Sequence, residues 1–148
     1  MRLLAAGGEI ISAIRSNDES VGNYRLTPEL SSISRAIVEH KNTVGALLPG
    51  MPPVASTPYL VTIGEIACGA LVKDRLEPGQ ITVGTRVVIN HLGASKAGAE
   101  LVIKAALVQK EKNRFKFSVR IEDGARTVAT MEHERAAVSL QKLMESLG

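Results

Sequence analysis

Between residues 114 and 122 the chain alternates one position in two. Phe115, Phe117, Val119 and Ile121 fall on one side, and Arg114, Lys116, Ser118, Arg120 and Glu122 on the other. That is the period of a strand with one buried face. Residues 81–90 are rich in β-branched side chains, residues 100–109 read as another strand, and strand character also surrounds Ala36-Ile37-Val38. Asp123-Gly124 is a hairpin turn by type, after which residues 126–140 return as a long final strand. Connections this short make the consecutive strands antiparallel. Residues 59–76 follow a different rule. Tyr59, Leu60, Val61, Ile63, Ile66, Leu71 and Val72 run all the way round a helix, interleaved with Gly64, Ala67, Cys68, Gly69 and Ala70. This predicts a helix buried on every side and approached closely by neighbouring backbone. Leu76-Glu77-Pro78-Gly79-Gln80 ends it with turn chemistry. One buried helix needs a sheet that curls around it, and the remaining sheet edge must pair or be covered. The pattern predicts an α+β fold.

The chain divides into an N-terminal extension (residues 1–33), a main domain (34–140) and a tail (141–148) that closes with a helical turn. In the extension, Ile10, Ile11 and Ile14 share a helical stripe ahead of the polar connector Ser16-Asn17-Asp18-Glu19-Ser20. At 148 residues and 45% apolar, one domain with a substantial core is expected. The single Cys68 excludes a disulfide framework, no Cys/His spacing suits a structural zinc, and a reducing, cytoplasmic setting is expected. The net charge of +3 comes from cations scattered among acids, and four aromatics supply no stacking platform, so no nucleic-acid partner is expected. The uncharged run around residues 42–64 is interrupted by Pro49, Pro52, Pro53 and Pro58, which excludes a membrane-spanning helix there. Glu9 and the lack of a long apolar region argue against a secretory signal.

Glu65 is the only residue between Asn42 and Val72 that is charged at neutral pH, and it falls in the middle of the expected buried helix. Burying an unpaired carboxylate costs several kcal/mol, so folding gives no reason for it. A structural ion pair is the bland account; a base or nucleophile is the functional one, and it is preferred. Gly69 and Cys68 leave room beside it. Thr57 precedes Pro58 and reads as a helix N-cap. His91 opens the loop Leu92-Gly93-Ala94-Ser95 at the end of a strand, where site residues often sit; His40 and His133 have weaker settings. Cys68 has no basic neighbour in sequence to lower its pKa and reads as core filler.

Taken together, Thr57, Glu65 and His91, with spacings of eight and twenty-six, resemble the active-site constellation of hotdog thioesterases of the fluoroacetyl-CoA thioesterase-like family. Ala55-Ser56-Thr57, Glu65-Ile66-Ala67-Cys68, Leu76-Glu77-Pro78-Gly79, Val83-Gly84-Thr85 and His133-Glu134-Arg135 are similar as well. The resemblance implies a curved antiparallel sheet around one central helix, a homodimer or higher oligomer, and hydrolysis of a short or medium acyl-CoA to free acid and CoA, without a cofactor or a metal. It makes Thr57, Glu65 and His91 the reacting group. Glu65 is then nucleophile or general base, His91 assists proton transfer, and Thr57 hydrogen-bonds or attacks. Gly84 matches the backbone position near the thioester carbonyl, and Arg135 a final-strand arginine able to orient an acid or a phosphate. Two alternatives share the fold: a non-catalytic acyl-CoA-binding module, and an acyl-CoA hydratase or dehydratase. The latter typically carry an Asp and a His a few residues apart, and Asp74 and Asp123 have no such histidine. A helix starting at Pro58 would put Thr57 about 12 Å along the axis from Glu65. Either the Thr57 segment folds back or a second chain completes the group. The segment before Thr57 carries Met51 and no aromatic, so fluoroacetyl specificity is not implied.

Overall fold

The computed structural model describes residues 30–148; the expected helical stripe at Ile10, Ile11 and Ile14 lies outside them. Five strands form one antiparallel sheet: β1 (Ser31–Ile37), β2 (Gln80–His91), β3 (Glu100–Glu111), β4 (Arg114–Asp123) and β5 (Arg126–Ser139). Their order across the sheet is β1-β3-β4-β5-β2. The long helix Thr57–Val72 packs against all five strands, with the short helix Val44–Leu47 before it and Leu140–Ser146 closing the chain. This is the α+β arrangement expected, a sheet curled around one helix. The sheet begins at Ser31, three residues before the boundary placed at residue 34, so those residues pair with β3 instead of belonging to an extension.

The alternation in β4 carries through to burial. Phe115, Phe117, Val119 and Ile121 are buried and meet Leu101, Ile103, Ala105 and Leu107 of β3 in the same core. From the helix, Leu60, Ile63, Ala67, Cys68 and Val72 close that core. A Cβ at Gly64 would stand 2.6 Å from Met131 Cε, so glycine lets the helix approach β5 closely. Gly124 turns the β4–β5 hairpin with φ of +59°, a conformation most side chains avoid.

The helix is not buried on every side. Thr62 and Ala70 are exposed, Ile66 is 66% exposed, and Glu65 sits on the same outer stripe. The physical reason lies in the topology: one curled sheet covers only one flank of a helix. The uncovered flank looks out beside β2, an edge strand of 12 residues whose single neighbour among the described residues is β5, with Val87 and Val88 also exposed. No helix of the described residues is long and apolar enough to cross a membrane.

Candidate active site

The loop after β2 and the segment before the helix are stitched together. Val54 bridges Lys96, and Ala55 N–H donates to Ser95 O at 2.8 Å. Ser56, not Thr57, is the N-cap: its hydroxyl accepts from Tyr59 N–H at 3.2 Å. Two hydroxyls stand side by side ahead of the proline, and the first takes the capping work. The hydroxyl of Thr57 is therefore free for another partner, and it lies 2.8 Å from His91 Nδ1. His91 is the last residue of β2, and its Nε2 is 3.0 Å from Gly93 O. A carbonyl oxygen can only accept, so Nε2 carries the ring proton and Nδ1 keeps its lone pair for the Thr57 hydroxyl. That polarity is the one a nucleophile and its base require.

Glu65 is not joined to this pair within the chain. The helix begins at Thr57, so the intervening eight residues set the two about 12 Å apart along its axis. Nor is the carboxylate shut inside apolar surroundings. Its side chain is 37% exposed, and Oε2 accepts from Arg135 Nη1 at 3.2 Å. Oε1 has no protein partner among the described residues. Arg135 is gripped on several sides. Its Nε donates to Thr82 Oγ1 at 2.9 Å, and Nη2 donates to Thr82 O at 2.8 Å. Nη1 also reaches His133 Nε2 at 3.2 Å. Of the five guanidinium N–H groups, one remains uncommitted. Arg135 thus pairs with Glu65, while Glu134 turns the other way to Arg86 and Lys116.

Gly84 lies directly behind the carboxylate. A Cβ there would stand 2.7 Å from Glu65 Oε2 and 3.2 Å from His133 Cε1, and the β2–β5 register slips between Gly84 and Arg86. Gly69 lies under the Arg135 guanidinium, where an added Cβ would come to ordinary van der Waals contact at 3.7 Å. Thr62, Glu65, Ile66, Gly69, Ala70 and Arg135 line an open groove of about 370 Å³. We expect Gly84→Ala to displace the Glu65 carboxylate and lower turnover about 10–100-fold, because a misplacement of about 1 Å can cost that much. Turnover measured beside the melting temperature checks this; a folded, fully active variant contradicts it.

His133, whose setting in the sequence is weaker than that of His91, is 1% exposed and sits between Arg86, Arg135 and Glu65. Its Nδ1 lies 2.8 Å from Arg86 O, so the proton is on Nδ1 and Nε2 accepts from Arg135. Burial pushes its pKa below the usual histidine range, against the pull of the Arg86 carbonyl and Glu65. Cys68 is fully buried, and burial pushes its thiol up to about 12. At that value only about one thiol in 10⁴ is ionised at pH 8, so Cys68 should react with an aromatic disulfide reagent only after unfolding. Rapid labelling of the folded protein would contradict this.

Comparison with known proteins places this geometry in a family. Residues 38–141 match the family model of FlK, the fluoroacetyl-CoA-specific thioesterase. The fluoroacetyl-CoA thioesterase of Streptantibioticus cattleyicolor is 30% identical over 112 residues, covering 72% of this chain and 81% of that protein. Among solved structures, a variant of FlK in complex with fluoroacetate and CoA superposes with a TM-score of 0.70 at 28% identity, covering 76% of this chain and 95% of that one. A hot-dog-like protein from Thermanaerovibrio acidaminovorans superposes with a TM-score of 0.74 at 21% identity, covering 79% and 87%, a likeness of fold alone. With its helix packed on a five-stranded sheet and the family match covering the helix and strands β2 to β5, the chain belongs to the fluoroacetyl-CoA-specific thioesterase family, thioester hydrolases of the hotdog fold.

Proposed function

We propose that the chain hydrolyses a short or medium acyl-CoA to the free acid and CoA, in a site shared between two copies. The observation that carries this reading is the 2.8 Å contact from Thr57 Oγ1 to His91 Nδ1, with the imidazole oriented by the Gly93 carbonyl. Thr57 Oγ1 attacks the thioester carbonyl while His91 Nδ1 takes the hydroxyl proton. Collapse of the tetrahedral intermediate expels the CoA thiolate, which recovers that proton from the imidazolium. Water then cleaves the Thr57 ester, with Glu65 Oε1 as general base. Gly84 supplies the backbone N–H near the thioester carbonyl, an interaction worth about 10²–10³ in rate in other acyl transfers. Arg135 orients the carboxylate.

A second copy answers the 12 Å separation. The open flank of the helix and the edge of β2 that has no partner among the described residues lie next to each other, and an exposed edge strand calls for a partner. Pairing two such edges about a two-fold axis gives a self-complementary contact. It covers Ile66 and brings one copy's Thr57 and His91 toward the other's Glu65. The acyl group need not be fluoroacetyl: the segment before the helix has Leu47, Leu48 and Met51 exposed and no aromatic. Thiol release from a panel of acyl-CoAs of increasing length tests the reading. Hydrolysis of short or medium chains is expected; tight binding without turnover would favour a binding module, and hydration of an enoyl-CoA a hydratase.

A further inference from the structure

We propose that His133 is a positioning residue for Glu65, acting through Arg135 as a hydrogen-bond acceptor. Its neutral Nδ1–H form serves two elements at once. Nδ1–H donates to Arg86 O and fastens β5 to β2 just past the register slip; Nε2 receives the Arg135 Nη1 that also donates to Glu65 Oε2. With both N–H groups of Nη1 directed and Thr82 holding Nε and Nη2, the guanidinium has one orientation. That orientation pins Oε2 against Gly84 and leaves Oε1 uncommitted. A side chain without an acceptor at the Nε2 position would leave one Nη1 proton unpartnered in a nearly closed space. The guanidinium would then turn, and the carboxylate would follow it. Phe117, whose ring centroid is 6.2 Å from that of the imidazole, closes the far side and offers no alternative acceptor.

The kinetic part of this inference rests on the thioesterase reading; the structural part does not. Two variants separate the two halves of the ring. His133→Gln keeps an acceptor where Nε2 stands, and His133→Asn keeps a donor toward the Arg86 carbonyl but no acceptor toward Arg135. We expect His133→Asn to lose about 10–100-fold in kcat with KM within about twofold, while His133→Gln stays within about fivefold of the parent. A residue that only fills space would give two variants of equal kcat, and that result overturns the inference. Nitrogen-15 NMR of the unaltered protein reads the ring directly: a protonated Nδ1 and a bare Nε2 are expected, with the Nε2 signal moving in Arg135→Gln. A proton on Nε2, or no response to that substitution, overturns the inference even where neither His133 variant folds. Should the protein release no thiol from any acyl-CoA, the proposed function fails while the NMR result still decides the role of His133.

Discussion

Glu65→Gln should reduce acyl-CoA hydrolysis at least ~100-fold while leaving the fold intact, because removing a general base costs on the order of 10²–10⁴ in rate. The substitution keeps the shape of the side chain and an oxygen able to accept from Arg135, so the groove beside Gly69 and Gly84 survives. What it removes is the basicity of the free oxygen. If Thr57 attacks first, the variant should still release one equivalent of CoA rapidly and then stall, because only the hydrolytic half depends on Glu65. A burst with a stoichiometry near one per active site, followed by slow turnover, is the expected trace. Undiminished steady turnover would remove Glu65 from the chemistry.

The second large effect belongs to His91. His91→Ala leaves the Thr57 hydroxyl without the acceptor now 2.8 Å away. We expect a loss of about 10²–10⁴ in kcat/KM and, in contrast to Glu65→Gln, no burst, because the attack itself is disabled. Both residues are exposed and the substitution removes no core packing, so the melting temperature should hardly move. A burst that persists in His91→Ala would assign the attack to a group other than Thr57.

Much of this site was legible in the sequence because it breaks local patterns. Glu65 stands out as a lone acid in an uncharged stretch, and it does lie on the groove. Its surroundings are not legible there: a helix apolar on all sides looks the same in sequence whether its own sheet or another surface covers each flank. Ile66 and Glu65 occupy the flank the sheet does not reach. The preference of proline for the first helical position points to Thr57 as the cap; in the structure Ser56 caps and Pro58 is the second helical residue. His133 has a weaker setting than His91 in the sequence, although a stronger signal is there. In β5, Met131, His133 and Arg135 share one face by period two, with Glu132 and Glu134 on the other. A histidine and an arginine on the inward face of a strand ask for partners, and those partners are Glu65 and Thr82, distant in sequence. Pairings across such separations depend on strand order, which alternation alone does not specify.

In the proposed site, Thr57 and His91 of one copy work with Glu65 of another. Mixing the His91→Ala and Glu65→Gln proteins after reversible dissociation decides whether the site is shared. Half of a randomly reassembled population carries one chain of each kind, and in each such dimer one of the two shared sites draws only native residues, so about a quarter of the parent's turnover should return. If each site were built within a single chain, every site in the mixture would lack either His91 or Glu65. Activity would then stay at the level of the separate variants, contradicting the account.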